Sequence, residues 1–310
     1  MSAVAVGYDP LRDSRHRNAR AARECADWLS WLELEGKAPR TLDDYERTAA
    51  VLLRMFPNTA IDGISDSELL HVLKTFPPRS RRIRRAHLSS FIGWAYRTGR
   101  IPRNPLDLVP KQKRNPRRHI ETFTDAELAL LAGLPSPDGP LFSIMFGTGL
   151  RKGECRRLQA RHVNLERGRL IVHQGKGGKD RVVPLRNLTR VLAEWFLLDG
   201  IRPDDFLWYT RPGGGRISRS KPAGEGSFHR WYATSLAAAG VAYRPRASGD
   251  PGIHNPHVTR HTFALNWLRS GGRLETLSLI LGHESIKTTF DEYGHLDMTD
   301  VAFDLELVEG

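Results

Sequence analysis

The sequence predicts a mainly α-helical protein with one small antiparallel β-sheet, arranged as a helical domain followed by an α+β domain. Three observations predict it. Apolar residues recur at helical spacing from about Asn18 to Gly99. Residues 100–119, rich in proline and cations, then interrupt that pattern. Beyond them, three short runs rich in Val, Leu and Ile are separated by glycine turns and followed by more helical spacing.

The elements follow in order. Residues 1–17 read as a flexible leader. Trp28, Leu29, Trp31, Leu32 and Leu34 cluster at helical spacing. Thr41 is placed to cap a helix carrying Tyr45, Val51, Leu52, Leu53 and Phe56. Ser65 and Glu68 have capping-box spacing before Leu69, Leu70 and Leu73. Leu88, Phe91, Ile92 and Ala95 share one face of another helix, which starts with Arg79, Arg81, Arg82, Arg84 and Arg85. The helical domain therefore spans residues 18–104, with four or five helices. Residues 105–119 are a basic linker; the wider stretch 100–119 holds four prolines and seven Arg or Lys, which resist both helix and burial.

The second domain spans residues 120–296 and opens with the capping-box pair Thr124 and Glu127. A helix through Leu141 to Phe146 stops at Gly147 and Gly149. His162–Leu165, Arg169–His173 and Arg181–Leu185 read as strands. Residues 211–226 read as a loop, helices return up to Tyr293, and residues 297–310 form a tail that could dock on a neighbouring subunit.

Composition excludes several classes. The apolar fraction, 40%, is enough for real cores, and no stretch approaches the roughly 20 apolar residues that cross a bilayer. No signal-peptide layout opens the chain, so a cytoplasmic protein is expected, with Cys25 and Cys155 as reduced, partly buried thiols. The net charge is +12. A strongly cationic protein suits a polyanion such as DNA, because binding releases condensed counterions. The arginine run at 79–85 and Lys111, Lys113 and Arg114 in the linker are the candidate DNA contacts.

Four segments carry chemistry. In TGLRKGE, a glycine-rich helix end precedes a new helix start, so Arg151 and backbone donors can face one anion. In GKGGKDRVVPL, Lys176 projects from a tight hairpin; His173 and Asp180 rule out a phosphate-binding P-loop. In HVTRH, His257 and Arg260 share a helix face, pairing a proton-transfer group with a phosphate clamp. His257 and His261 could instead be zinc ligands at i, i+4, but no third ligand is obvious and no metal is expected. In LGHESIKTTFDEYGHL, His283 lies in a helix–helix junction and Tyr293 near the end of the second helix. Phosphodiester cleavage without a metal needs cations for the transition state, a nucleophile, a base and an acid, and these segments offer each.

Taken in order, Arg151, Lys176, His257 with Arg260, His283 and Tyr293 resemble the tyrosine recombinase (phage integrase) family, and the basic front domain resembles its core-binding domain. One departure stands out: His283 and Tyr293 are ten residues apart where nine is usual, which implies a different helix end. The resemblance implies a site-specific recombinase, an integrase acting through a 3′-phosphotyrosyl intermediate. Tyr293 would attack; Arg151, Arg260 and His283 would hold the phosphate oxygens. His257 would assist proton removal, Lys176 would protonate the leaving oxygen, and Glu154 would buttress the arginines. No cofactor is implied. The partner would be double-stranded DNA at core-type attachment sites, bound by a homotetramer on synapsed DNA that is a monomer when free, in a bacterial host. Only about 20 residues precede the first helix, too few for an arm-binding module, so a simple two-domain form acting in phage or mobile-element integration is expected. A type IB topoisomerase-like relaxing enzyme and a non-catalytic DNA-binding regulator are the alternatives.

Overall fold

A computed structural model of the chain describes residues 19–57, 59–111, 121–173, 180–209, 218–242 and 255–294. The chain divides into two compact units near residue 117, each with its own apolar core. None of the helices among the described residues is long and apolar enough to cross a membrane.

Among the described residues the first unit holds four α-helices: α1 (Ala19–Leu34), α2 (Pro39–Met55), α3 (Asp66–Thr75) and α4 (Pro78–Arg97). Trp28 is its centre. The ring is fully buried, stacked on Tyr45 at 5.6 Å and tilted against Phe91 at 4.9 Å. Ser65 and Glu68 form the predicted capping box. Thr41 does not cap α2, which begins two residues earlier. Pro39 takes the first turn because its fixed φ and missing N–H cost nothing there.

The arginine run at the start of α4 divides into two groups. Arg81 donates to the Phe76 and Lys74 carbonyls at 2.8 and 3.2 Å, satisfying the open end of α3. Arg84 donates to Thr48 Oγ1 at 2.8 Å and lies over the Phe76 ring. Arg85 donates to the Leu106 and Val109 carbonyls at 2.9 and 3.0 Å. These three tie elements together, whereas Arg79 and Arg82 are exposed. The last pair of bonds also corrects the linker. Its first residues form a 3-10 turn, Pro105–Asp107, and Leu106 and Val109 are buried in the first unit's core. Burying two apolar side chains outweighs the proline content there. Lys111 is exposed, and Lys113 and Arg114 lie outside the described residues.

The second unit contains α5 (Asp125–Ala132), α6 (Asp138–Thr148), α7 (Lys152–Arg157), β1 (Val163–Asn164), β2 (Arg169–Val172) and β3 (Arg181–Pro184). It continues with α8 (Leu188–Leu198), α9 (Glu225–Ala238), α10 (His257–Arg269), α11 (Leu274–Leu281) and α12 (Ile286–Tyr293). The sheet is antiparallel in the order β1-β2-β3, and the pairing of Leu170 with Val183 puts both side chains into the core. The predicted mainly helical fold with one small sheet is therefore present.

Two boundaries differ from expectation. Helix α6 runs through Gly147 and ends at Gly149. A Cβ on Gly147 would lie 2.5 Å from Leu188 Cδ1, so that glycine serves helix packing, while Gly149 takes the left-handed cap at φ 61°. The predicted loop over 211–226 ends early, since α9 begins at Glu225.

Arg85→Ala is expected to destabilise the first unit by about 1–3 kcal/mol, because two buried carbonyls lose a charged donor. Arg82→Ala is expected to leave the unfolding midpoint unchanged. Urea unfolding of the two full-length variants checks the pair.

Candidate active site

The site is assembled where α6 and α11 end. Both helices close on glycines in the left-handed conformation, Gly149 at φ 61° and Gly282 at φ 64°. A helix C-terminus leaves carbonyls without partners and carries negative partial charge, so it attracts cations. Here three guanidinium groups meet that demand. Arg260, on α10, donates to the Gly149 carbonyl at 2.9 Å and to the Leu281 carbonyl at 2.7 Å. Arg181, at the start of β3, donates from Nε to the Ile280 carbonyl at 2.7 Å. Arg151, which caps α7, donates to the Gly282 carbonyl at 3.1 Å.

Both glycines are required for a second reason. A Cβ on Gly149 would lie 2.5 Å from Phe263 Cδ1, and one on Gly282 would lie 2.9 Å from Arg181 Cδ. A side chain at either position would push apart the groups that converge there.

Three cations this close need an anion, and Glu154 supplies it. Its carboxylate accepts two bonds from Arg181, at 2.8 and 2.7 Å, and one from Arg151 Nη1 at 3.1 Å. It also accepts from the Arg151 backbone N–H at 2.7 Å, closing the first turn of α7. Burial alone would raise the Glu154 carboxyl. The Arg181 hydrogen bonds and charge, with those of Arg151, outweigh burial and bring it down to about 2.

Arg260 is 2% exposed, and burial with the neighbouring Arg151 charge lowers it to about 10, so it remains a cation at neutral pH. The Arg151 side chain is 24% exposed, which leaves it open to a ligand.

His283 sits against this cluster. Arg260 Nη2 lies 2.9 Å from His283 Nε2, and Thr289 Oγ1 lies 2.7 Å from His283 Nδ1. A guanidinium can only donate, so Nε2 accepts and the ring proton belongs on Nδ1, bonded to Thr289. Burial first, and then the charges of Arg260, Arg151 and Arg181, bring His283 down to about 4, in keeping with a neutral ring.

Tyr293 is the last residue of α12 and is fully buried. Its hydroxyl lies 2.8 Å from His261 Nδ1. The sequence assigned that neighbour role to His257, but His257 instead packs its ring edge-on to His261, 4.8 Å away. Glu292 Oε1 lies 3.6 Å from the same His261 nitrogen. Burial, with the Glu292 charge, raises the Tyr293 hydroxyl, while the charges of Arg260 and Arg151 pull it the other way. His257 is brought down to about 4 by burial and by the charges of Arg260 and Arg151.

Of the predicted site residues, Arg260 and His283 meet directly, Arg151 joins them at the α11 end through the Gly282 carbonyl, and His257 and Tyr293 meet through His261. Lys176 lies outside the described residues. Sequence reading missed the parts played by Arg181, His261, Glu292 and Thr289. The only signal for His261 was its spacing, one turn beyond His257 and next to Arg260. Nothing local marks Arg181, whose partners lie 27 and 99 residues away.

Comparison with known proteins gives a consistent picture. The model of the phage integrase family matches residues 123–300. Tyrosine recombinase XerD of Ralstonia nicotianae is 30% identical over 281 residues, covering 84% of each chain. Tyrosine recombinase XerC of Proteus mirabilis is 28% identical over 292 residues, covering 89% of this chain and 90% of the relative. Among solved structures, a lambda integrase (75–356) dimer bound to a COC′ core site superposes with a TM-score of 0.66 at 19% identity, over 86% of this chain and 96% of that one.

Glu154→Gln is expected to cost about 3 kcal/mol at neutral pH, because the fold holds the carboxyl at about 2 against 4.5 for an ordinary glutamate. The Glu154 carboxyl is lower in the folded protein than in the unfolded chain. Its contribution is thus complete above the ordinary carboxylate range and is lost as pH falls from about 4.5 towards 2. Thermal unfolding of the wild type and variant across pH should show a gap that closes on acidification. A gap independent of pH would disprove the assignment.

Proposed function

Because the chain belongs to the phage integrase family and is a tyrosine-type site-specific DNA recombinase, we propose that Tyr293 is its nucleophile and that His261 receives the tyrosine's proton. The observation that carries this reading is the 2.8 Å contact between Tyr293 Oη and His261 Nδ1, within the field of the Arg260 and Arg151 charges.

The proton and charge then balance as follows. The neutral His261 ring accepts the phenol proton on Nδ1 as the Tyr293 oxygen attacks the scissile phosphorus. The new N–H faces Glu292, whose carboxylate at 3.6 Å stabilises the imidazolium. The P–O bond to the 5′ oxygen breaks, leaving a 3′-phosphotyrosine, and Lys176 protonates the leaving oxygen. Arg151 and Arg260 bind the non-bridging oxygens. Their fixed positions are worth most as charge builds on those oxygens in the transition state. The phosphotyrosine conserves the bond energy, and reversal of the step on a new 5′-hydroxyl rejoins the strand.

His283 enters this scheme by a change of protonation. In the neutral form it has no N–H for a phosphate, since Nδ1 bonds Thr289 and Nε2 accepts from Arg260. An arriving phosphate adds negative charge beside a ring held down by cations, so it raises His283 and favours the form that donates from both nitrogens. Tyr293, fully buried, must also emerge before it can touch a duplex. Helix α12 is short and exposes Ile286 and Phe290, which suits it to that movement.

Double-stranded DNA is the partner in this reading, with Arg79, Arg82 and Lys111 as exposed backbone contacts. Exchange between two duplex sites by a tetramer, in integration of mobile or viral DNA, completes it. The fold it shares with a lambda integrase tetramer bound to a Holliday junction supports the tetramer (TM-score 0.67, 19% identity, 91% of this chain and 83% of that one).

A nicked suicide duplex carrying the attachment site tests the proposal. The protein is expected to form a covalent adduct that Tyr293→Phe abolishes. His261→Ala is expected to slow adduct formation by about 10²–10⁴-fold, the usual range for a lost proton acceptor. Full activity in His261→Ala with loss in His257→Ala would return the base to His257. Adduct without recombinant product between two sites would favour DNA relaxation, and no adduct at all would favour a DNA-binding regulator.

A further inference from the structure

His257 and His261 occupy the first residue and the second turn of α10, and Glu292 comes from the last turn of α12. One ligand atom from each lies within 4.8 Å of the other two. We propose that His257, His261 and Glu292 form a binding site for a zinc-class divalent cation, and that filling it takes His261 away from Tyr293 and halts cleavage.

The geometry is close to what such an ion needs. Zinc bonds of about 2.0–2.1 Å in a tetrahedron put neighbouring donor atoms roughly 3.3–3.4 Å apart. His261 Nδ1 and Glu292 Oε1 are already 3.6 Å apart. The remaining separations, at most 4.8 Å, close with a side-chain rotation of about 1 Å or slightly more. The His257 and His261 ring centroids are 4.8 Å apart, close enough for a nitrogen of each to reach one ion. The His261 and Glu292 side chains are 19% and 34% exposed, which lets an ion reach them from solvent.

The donor chemistry selects the ion. Two imidazoles and one carboxylate suit Zn²⁺, Co²⁺ or Ni²⁺, whereas Mg²⁺ and Ca²⁺ prefer oxygen sets. Imidazole binds a metal only when neutral, so binding competes with protons, and the Arg260 and Arg151 charges lie near His257. Those arginine charges also repel a dication. Glu292 offsets part of that repulsion, so the expected affinity is micromolar rather than nanomolar.

The consequence for activity rests on the reading of Tyr293 as nucleophile and His261 as its proton acceptor. A metal on His261 Nδ1 occupies the lone pair that faces the Tyr293 hydroxyl. The hydroxyl then either loses its acceptor or becomes the fourth ligand, and in both cases it is withheld from phosphorus. The ion is a brake, removable by chelation.

Metal-free full-length protein is titrated with Zn²⁺ alone in competition with a colorimetric chelator. One equivalent is expected to bind with a Kd of about 1–10 µM. Glu292→Gln and His261→Ala, each checked for native circular dichroism, are expected to weaken binding at least tenfold. Co²⁺ is expected to give a visible ligand-field spectrum that His261→Ala loses, and millimolar Mg²⁺ is expected not to compete. Zn²⁺ at saturation should slow adduct formation on the suicide duplex at least tenfold, with recovery after EDTA. No saturable binding, or binding unchanged in both variants, overturns the site. Binding without slowing overturns the brake. If metal-free protein forms no adduct, the nucleophile assignment fails, while the chelator titration still decides the site.

Discussion

The second unit depends on one arrangement, three arginines anchored on the carboxyl ends of two helices. Gly149 and Gly282 end α6 and α11 in the left-handed conformation and turn carbonyls towards a common point. Arg260, Arg181 and Arg151 donate to those carbonyls, and Glu154 accepts from the last two. Each part requires the others. The carbonyls would be unsatisfied without the arginines, and the arginines would repel one another without Glu154 and the helix ends. Such a cluster is fixed before any ligand arrives, which is the condition under which a positive site stabilises developing charge without reorganising.

Specialisation within the cluster follows from exposure. Arg181 is consumed by Glu154 and Ile280, so its task is to hold the frame. Arg260 is buried but spans Gly149, Leu281 and His283, so it links both helix ends to that histidine. Arg151 keeps more solvent access than its neighbours, its side chain 24% exposed against 9% for Arg181. The same division appears in the first unit. There Arg81, Arg84 and Arg85 are spent on the protein's own acceptors, and Arg79 and Arg82 face outward. A run of like charges is thus no measure of the charge offered to a partner.

Tyr293 belongs to a neighbouring group that faces a different way. Its hydroxyl meets His261, not the guanidiniums, and Glu292 and His257 complete a ring of titratable groups around it. Two sets of chemistry therefore lie side by side, an anion-binding frame on the ends of α6 and α11, and a proton-handling set between α10 and α12. In the proposed mechanism, joining them requires motion of the short α12 segment, which exposes Ile286 and Phe290.

The sequence by itself determined the helices and the small sheet, and it put forward Arg151, His257, Arg260, His283 and Tyr293 as candidate site residues, because helical spacing, capping boxes and motif order are local properties. Ser65 with Glu68 and Thr124 with Glu127 are legible within four residues. The tertiary structure alone decided which groups touch. Arg181 reaches Ile280 across 99 residues, Arg260 reaches Gly149 across 111, and Tyr293 reaches His261 across 32. It also decided that Leu106 and Val109 join a core rather than a linker, and that Glu292 stands as a third ligand-type group beside two histidines. The physical reason is the same throughout: periodicity fixes what a residue's own helix will do, whereas a hydrogen bond between distant segments exists only once packing has set their distance and orientation.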